Sequence, residues 1–166
     1  MRTPDNLLHK LENPTPSLHL THFAVAADGT VVVSSAPNQG RPMAAGSIFV
    51  AQPNQPLVEA KLPPDVAARL HDETLSIAIS DARKLAAVTV PEGNLVVYLR
   101  LSDGGFVGAS PFDRPAGIGL SPDGAHFIVG TRRSMRWVRV DTLAEEPGRK
   151  SADGGGSLSH LLIASG

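Results

Sequence analysis

The sequence predicts an all-β fold of about three four-stranded antiparallel blades, the unit of a β-propeller, with one short inserted helix. Three observations carry this reading. Glycine (16) and proline (14) together make nearly a fifth of the 166 residues. Inside a helix each would cost about 1 to 3 kcal/mol, so many short elements joined by turns are favoured over a helical bundle. Hydrophobic residues at 42 % suffice for a packed core, and the length suits one domain. Finally, one pattern occurs three times: apolar strand, polar turn, apolar strand.

The first copy is Leu20–Ala26, the turn Ala27-Asp28-Gly29, then Thr30–Val33. The second is Leu75–Ile79, the turn Ser80–Arg83, then Lys84–Val90. The third is Ala116–Leu120, the turn Ser121-Pro122-Asp123-Gly124, then Ala125–Gly130. Asp28, Asp81 and Asp123 align as the anchors of these turns, 53 and 42 residues apart. A strand-rich period of roughly 40 to 50 residues is that of propeller blades. Pro122 presets φ, Asp123 can accept from nearby amides, and Gly124 takes a positive φ cheaply. The second turn lacks the glycine and is expected to be looser or longer.

Each copy continues into a third and a fourth strand. These are Ser47–Ala51 and Leu57–Lys61, then Asn94–Leu99 and Phe106-Val107, then Met135–Val140 and Asp141–Leu143. Four strands make one blade. Only Pro64–Leu70 reads as helix. Pro64 starts it, and Val66, Ala67 and Leu70 form its apolar side. It is an insertion between the first two blades and lengthens the first spacing. The domain organisation is one unit over 1–166, with blades at about 18–62, 75–110 and 115–147. Residues 148–157 read as a loop, and a closing strand is expected at about 158–164. A propeller typically closes with four to eight blades, so three leave open faces.

Net charge is −1, from 15 basic and 16 acidic residues, which removes the electrostatic basis for general nucleic-acid binding. No apolar run approaches the ~20 residues of a membrane helix. The N-terminus shows no secretory h-region, so the chain as given is expected to be cytoplasmic. With no cysteine, disulfides, thiolate metal sites and cysteine nucleophiles are excluded.

The strings Leu18-His19-Leu20-Thr21-His22-Phe23-Ala24-Val25, Asp28-Gly29, Gln39-Gly40, Ser76-Ile77-Ala78, Pro91-Glu92-Gly93-Asn94 and Ser159-His160-Leu161-Leu162 resemble the family catalogued as domain of unknown function 1513. The resemblance covers nearly the whole chain but only the C-terminal part of the family. It implies part of a seven-bladed propeller of a bacterial family usually exported to the periplasm, often encoded near iron-uptake or imelysin-like proteins, with no activity established. The chain departs from the family pattern at Leu75, where glycine is usual, and at Ala116, where cysteine is frequent. It looks like a truncated or split member.

Several residue groups carry candidate chemistry. His19-x-x-His22 has metal-ligand spacing only on a helix, since residues three apart in a strand point to opposite faces. His71-Asp72-Glu73 places two carboxylates and a base on an inter-blade loop, the usual location of propeller ligand sites. The same residues also suit a polar helix end, with His71 at the negative end of the dipole. Asp113-Arg114 occupies the next such loop. Arg132, Arg133, Arg136 and Arg139 flank Trp137. They read either as an anion or acidic-partner site with a cation–π contact, or as a solvated outer strand. Gly154-Gly155-Gly156 lacks the strand and helix of a phosphate loop.

The ligand-binding set drawn from these loops and the first strand is His22, Gln39, Asp72, Glu73, Asp113 and Arg132. No catalytic residue, metal ligand or cofactor is assigned. The expected role is a non-catalytic scaffold binding an unknown protein or small ligand, with no nucleic acid and no membrane span. Self-association or complementation by missing blades is expected. The alternatives are a metal-dependent, lactonase-like propeller enzyme, and a fragment without independent function.

Overall fold

A computed structural model describes residues 10–38 and 45–150. Among them twelve strands and one helix follow in chain order: β1 (Leu18–Val25), β2 (Val31–Pro37), β3 (Ile48–Ala51), β4 (Val58–Glu59), α1 (Pro64–Ala67), β5 (Ile77–Ser80), β6 (Leu85–Val90), β7 (Leu95–Arg100), β8 (Phe106–Pro111), β9 (Ile118–Leu120), β10 (His126–Gly130), β11 (Met135–Arg139) and β12 (Glu145–Lys150). They form three four-stranded sheets, in each of which strands adjacent in the chain are neighbours. Every pairing is antiparallel. This is the predicted set of three blades. The expected closing strand at 158–164 lies outside the described residues.

Alternation along the middle strands builds the core, because neighbouring side chains of a strand project to opposite faces. Val32, Ile48 and Val50 of blade one meet Ala86, Val88, Val90, Leu95, Val97 and Leu99 of blade two. The opposite face of blade two, with Ala87, Val96 and Tyr98, meets Phe127, Val129 and Val138 of blade three. Tyr98 and Phe127 stack with ring centroids 6.1 Å apart. Burial pushes the Tyr98 phenol up to about 12, since a low dielectric disfavours its charged form. β6 and β7 are therefore buried on both sides. They read as nearly continuous apolar runs, as strands sandwiched between two other layers must. The helix sits between β4 and β5 and sends Val66, with the following Leu70, into the same core.

Hydrogen-bond register gives the repeat its alignment. Ala26 donates to the Thr30 carbonyl and Ser121 to the His126 carbonyl, while Ser80 pairs with Leu85. Three residues therefore close the first turn and four close each of the others. Asp28 is the second loop residue and Asp123 likewise, and each accepts an amide two residues on, from Thr30 (3.0 Å) and Ala125 (3.0 Å). Asp81 is not their equivalent. It stands one position earlier, opposite Pro122, and accepts the Ala27 amide of blade one at 2.8 Å. The second turn is also no longer than the third. Lys84 takes the left-handed conformation (φ 51°) near its end and donates to Asp28 at 2.9 Å. The Thr30 amide and this ammonium hold the Asp28 carboxyl down at about 2.

Gly124 has φ 68°, and a Cβ added there would meet nothing within 4 Å, so its requirement is purely conformational. A left-handed β-branched residue costs about 1 to 2 kcal/mol, and Gly124→Val should destabilise by that amount in urea denaturation.

The last strand differs from expectation. Asp141-Thr142-Leu143, predicted as the fourth strand of blade three, instead makes a turn. Leu143 is left-handed (φ 57°), and its amide donates to the Arg139 carbonyl at 2.9 Å. The strand begins at Glu145 and runs through the residues read as a loop start. Its charged, proline- and glycine-bearing sequence is poor in β-propensity, but an outer strand needs only one partner, here β11.

Candidate functional site

Antiparallel succession sends alternate connections to opposite ends of the sheets. The β2–β3, β6–β7 and β10–β11 connections share one end with the links between blades, β4–β5 and β8–β9. Asp72 and Glu73 lie in the first inter-blade link, Asp113 in the second, and Arg132 in the β10–β11 turn. Gln39 belongs to the β2–β3 connection and lies outside the described residues. One end of the molecule thus carries the sequence-predicted residues of the described connections. The turns bearing Asp28, Asp81 and Asp123 are at the other end.

Within the predicted set, the structure brings His22 and Glu73 together. The His22 Nε2 is 3.9 Å from a Glu73 carboxylate oxygen, and both side chains are about one-third exposed. His22 reaches this place because β1 carries a bulge between Leu20 and Phe23. His19, three residues before it, is exposed. Asp72 is exposed and left-handed (φ 59°). Asp113 and Arg132 are exposed on their own loops.

The floor beneath Asp72 and Glu73 is a network of small hydroxyl residues. Thr74 is fully buried. Its hydroxyl accepts the Ser35 amide (2.9 Å) and lies 2.8 Å from the Ser47 carbonyl. Ser35 in turn bonds Ser47 through both the amide and the carbonyl of that residue, at 2.8 and 2.9 Å. Ser47 reaches Glu59 at 2.5 Å. The Ser34 hydroxyl meets Thr21 (2.9 Å) and lies 3.1 Å from the Leu75 carbonyl. Gly46 is needed here for space. A Cβ would stand 2.6 Å from both the Asp72 and the Ser35 carbonyl oxygens. Such satisfied buried networks fix the backbone that presents the carboxylates.

Two cations at this end hold backbone or a partner carboxylate. The Arg69 guanidinium donates to the Gly93 carbonyl (2.6 and 3.0 Å) and to the Asn94 carbonyl (3.1 Å). Arg114 pairs with Glu92, and its amide donates to the Asn94 side chain at 2.9 Å. Two of the four arginines around Trp137 are likewise engaged: Arg136 pairs with Glu145, and Arg139 with Asp141 and Glu146. The outer-strand reading of that cluster therefore fits these two residues better than an open anion site. Among the described residues no group of three or more His, Asp or Glu side chains converges as a metal site would require. No described helix is long and apolar enough to cross a membrane.

Sequence reading missed the hydroxyl network and the Arg69 clasp. The signal for the first was present: Ser34 and Thr89 interrupt the apolar run of the second strand in blades one and two. Arg69 gave no signal, because its acceptors are carbonyls of a turn 24 and 25 residues away.

No curated protein matches the chain. Among solved structures it is similar to hydrazine synthase of Kuenenia stuttgartiensis, with 16 % identity and a TM-score of 0.62, covering 90 % of this chain and 40 % of that one. It is similar to the calcium-binding protein regucalcin from Agrobacterium tumefaciens, with 13 % identity, a TM-score of 0.56, and coverage of 87 % and 49 %. It is also similar to a gluconolactonase from Xanthomonas campestris, with 14 % identity, a TM-score of 0.54, and coverage of 85 % and 49 %. The chain spans less than half the length of each, and at such identity the likeness shows the propeller-like fold alone. The family model described as protein of unknown function (DUF1513) matches residues 6–155, and the chain belongs to that family.

Proposed function

We propose that the chain is a non-catalytic propeller scaffold that binds a protein or small polar ligand at the end carrying Asp72 and Glu73. The observation that carries this reading is the His22–Glu73 approach beside Asp72, set on the buried Thr74–Ser35–Ser47 network. A rigid floor under exposed polar groups suits recognition, because little freedom remains to be lost on binding. Asp113 and Arg132 widen the surface with one charge of each sign; Gln39, the remaining member of the set, lies outside the described residues. A link to iron uptake would be through such a partner rather than through a reaction of this chain.

The competing reading, a metal-dependent lactonase, requires convergent ligands and turnover. The test is hydrolysis of gluconolactone by the purified chain, with and without added calcium or zinc. No hydrolysis above the spontaneous rate is expected. Turnover that is lost both with chelator and in Glu73→Gln would overturn the scaffold reading.

A further inference from the structure

Among the described residues, His126 is the one buried histidine. It opens β10 and projects away from blade two, because Phe127 beside it packs on that blade. Its ring lies between opposite charges of β12. Nε2 is 3.2 Å from a Glu146 carboxylate oxygen, and Nδ1 is 3.3 Å from an Arg149 guanidinium nitrogen. A guanidinium only donates, so the Nδ1 facing it holds a lone pair, and the neutral ring carries its proton on Nε2. Nε2 is buried and aligned on no acceptor among the described residues. The ring's one hydrogen bond there is therefore the one from Arg149.

That bond matters to β12 because its backbone ladder is interrupted. Glu145 pairs with Val138 and Lys150 with Arg136, so Glu146, Pro147, Gly148 and Arg149 stand opposite Trp137 alone. Pro147 has no amide to donate, and Gly148 has no side chain. The start of β12 is tied by the Arg136–Glu145 pair and by the approach of Arg139 to Glu146 at 3.6 Å. Beyond Gly148 the tie is the reach of Arg149 to His126. In that position Arg149 borders a hollow whose other walls are Ser121, Pro122, Asp123, Ile128 and Trp137.

Imidazole is the side chain that ordinarily changes charge between pH 5 and 8. Protonation puts a hydrogen on Nδ1, facing Arg149. It removes the ring's hydrogen bond and sets two cations against each other at a part-buried place. The other facing charges favour the exchange. Glu146 attracts the cationic ring at 3.2 Å. Asp141 is taken by Arg139 through two bonds of 3.0 and 2.7 Å. Asp123, in the β9–β10 turn, is held below the usual carboxylate range by the Ser121 hydroxyl and the Ala125 amide, and more weakly by His126 and Arg149. It stays anionic and draws Arg149 away from the ring. Arg83, from the turn of blade two, borders a second hollow beside His126 and adds positive charge there. We infer that His126 is a pH-sensitive latch: neutral, it ties the far half of β12 across β11, and protonated, it keeps Glu146 and releases Arg149 from beside Trp137. The latch stands apart from Asp72 and Glu73 and does not rest on their role.

The test uses the full 166-residue chain, in which Trp137 is the single tryptophan. Its emission is followed from pH 8 to 5.5 beside the ring resonance of His126, assigned by through-bond NMR. The two should titrate together as one proton binds. His126→Gln should leave the emission flat. Arg149→Met keeps the length of the side chain without its charge. It should raise the His126 midpoint by about half a pH unit or more and remove most of the emission change, while Glu146→Gln should lower the midpoint. A merely structural Arg149 would leave the midpoint unmoved. Flat emission in the unaltered chain overturns the proposal, as does emission that still titrates in His126→Gln. An Arg149→Met midpoint at or below the original overturns it too, as does an undiminished emission change in that variant. If circular dichroism shows that His126→Gln does not fold, Arg149→Met and Glu146→Gln decide, since opposite shifts support the latch and shifts of one sign overturn it.

Discussion

Phe127→Ala is expected to cost about 3 to 5 kcal/mol, the range for removing a buried aromatic ring. Phe127 is fully buried, stacks on Tyr98, and joins β10 to the face of blade two. The apolar transfer term is lost, and the cavity lies between two sheets whose backbones are tied by their own ladders and collapse poorly. Loss of this size is a large part of the ~5 to 15 kcal/mol typical of a domain. It should appear in urea denaturation as a lower midpoint. Blade three should gain hydrogen exchange before blade one, because only the blade two–blade three contact is cut. A midpoint shift below about 1 kcal/mol would mean that this interface does not hold the third blade.

Gly93→Ala is expected to destabilise by about 1 to 3 kcal/mol, the usual cost of forcing atoms into a filled site. A Cβ on Gly93 would stand 2.1 Å from the Arg69 carbonyl oxygen and 2.9 Å from a Val90 methyl. Backbone must therefore move, and with it the Arg69 guanidinium that donates to the Gly93 and Asn94 carbonyls. Gly148→Ala is the control, since nothing lies within 4 Å of its Cβ position. Equal melting temperatures for the two variants would show that the link after α1 yields freely.

The blades were legible in the amino-acid order. Val, Ile and Phe in short runs, broken by Asp-Gly and Pro-Asp-Gly turns, favour antiparallel strands with alternating faces. Three copies of that unit specify three sheets and place the inserted helix between the first two. Local chemistry also settled Gly124, where a turn needs positive φ. Whatever depends on a partner strand or a neighbouring blade was decided by the tertiary structure. Asp81 resembles Asp28 and Asp123 in the linear pattern, yet it stands one loop position earlier and accepts the Ala27 amide of blade one instead of one in its own turn, because register is set by pairing and not by spacing. Glu145–Lys150 becomes a strand because β11 offers it a ladder, although its composition argues for loop. The approach of His22 to Glu73 rests on a bulge in β1 and on a link far along the chain. Phe23 and Val25 look like ordinary core residues in sequence. Only the packed sheets show that their side of blade one lies open, because burial is a property of neighbours and not of the residue itself.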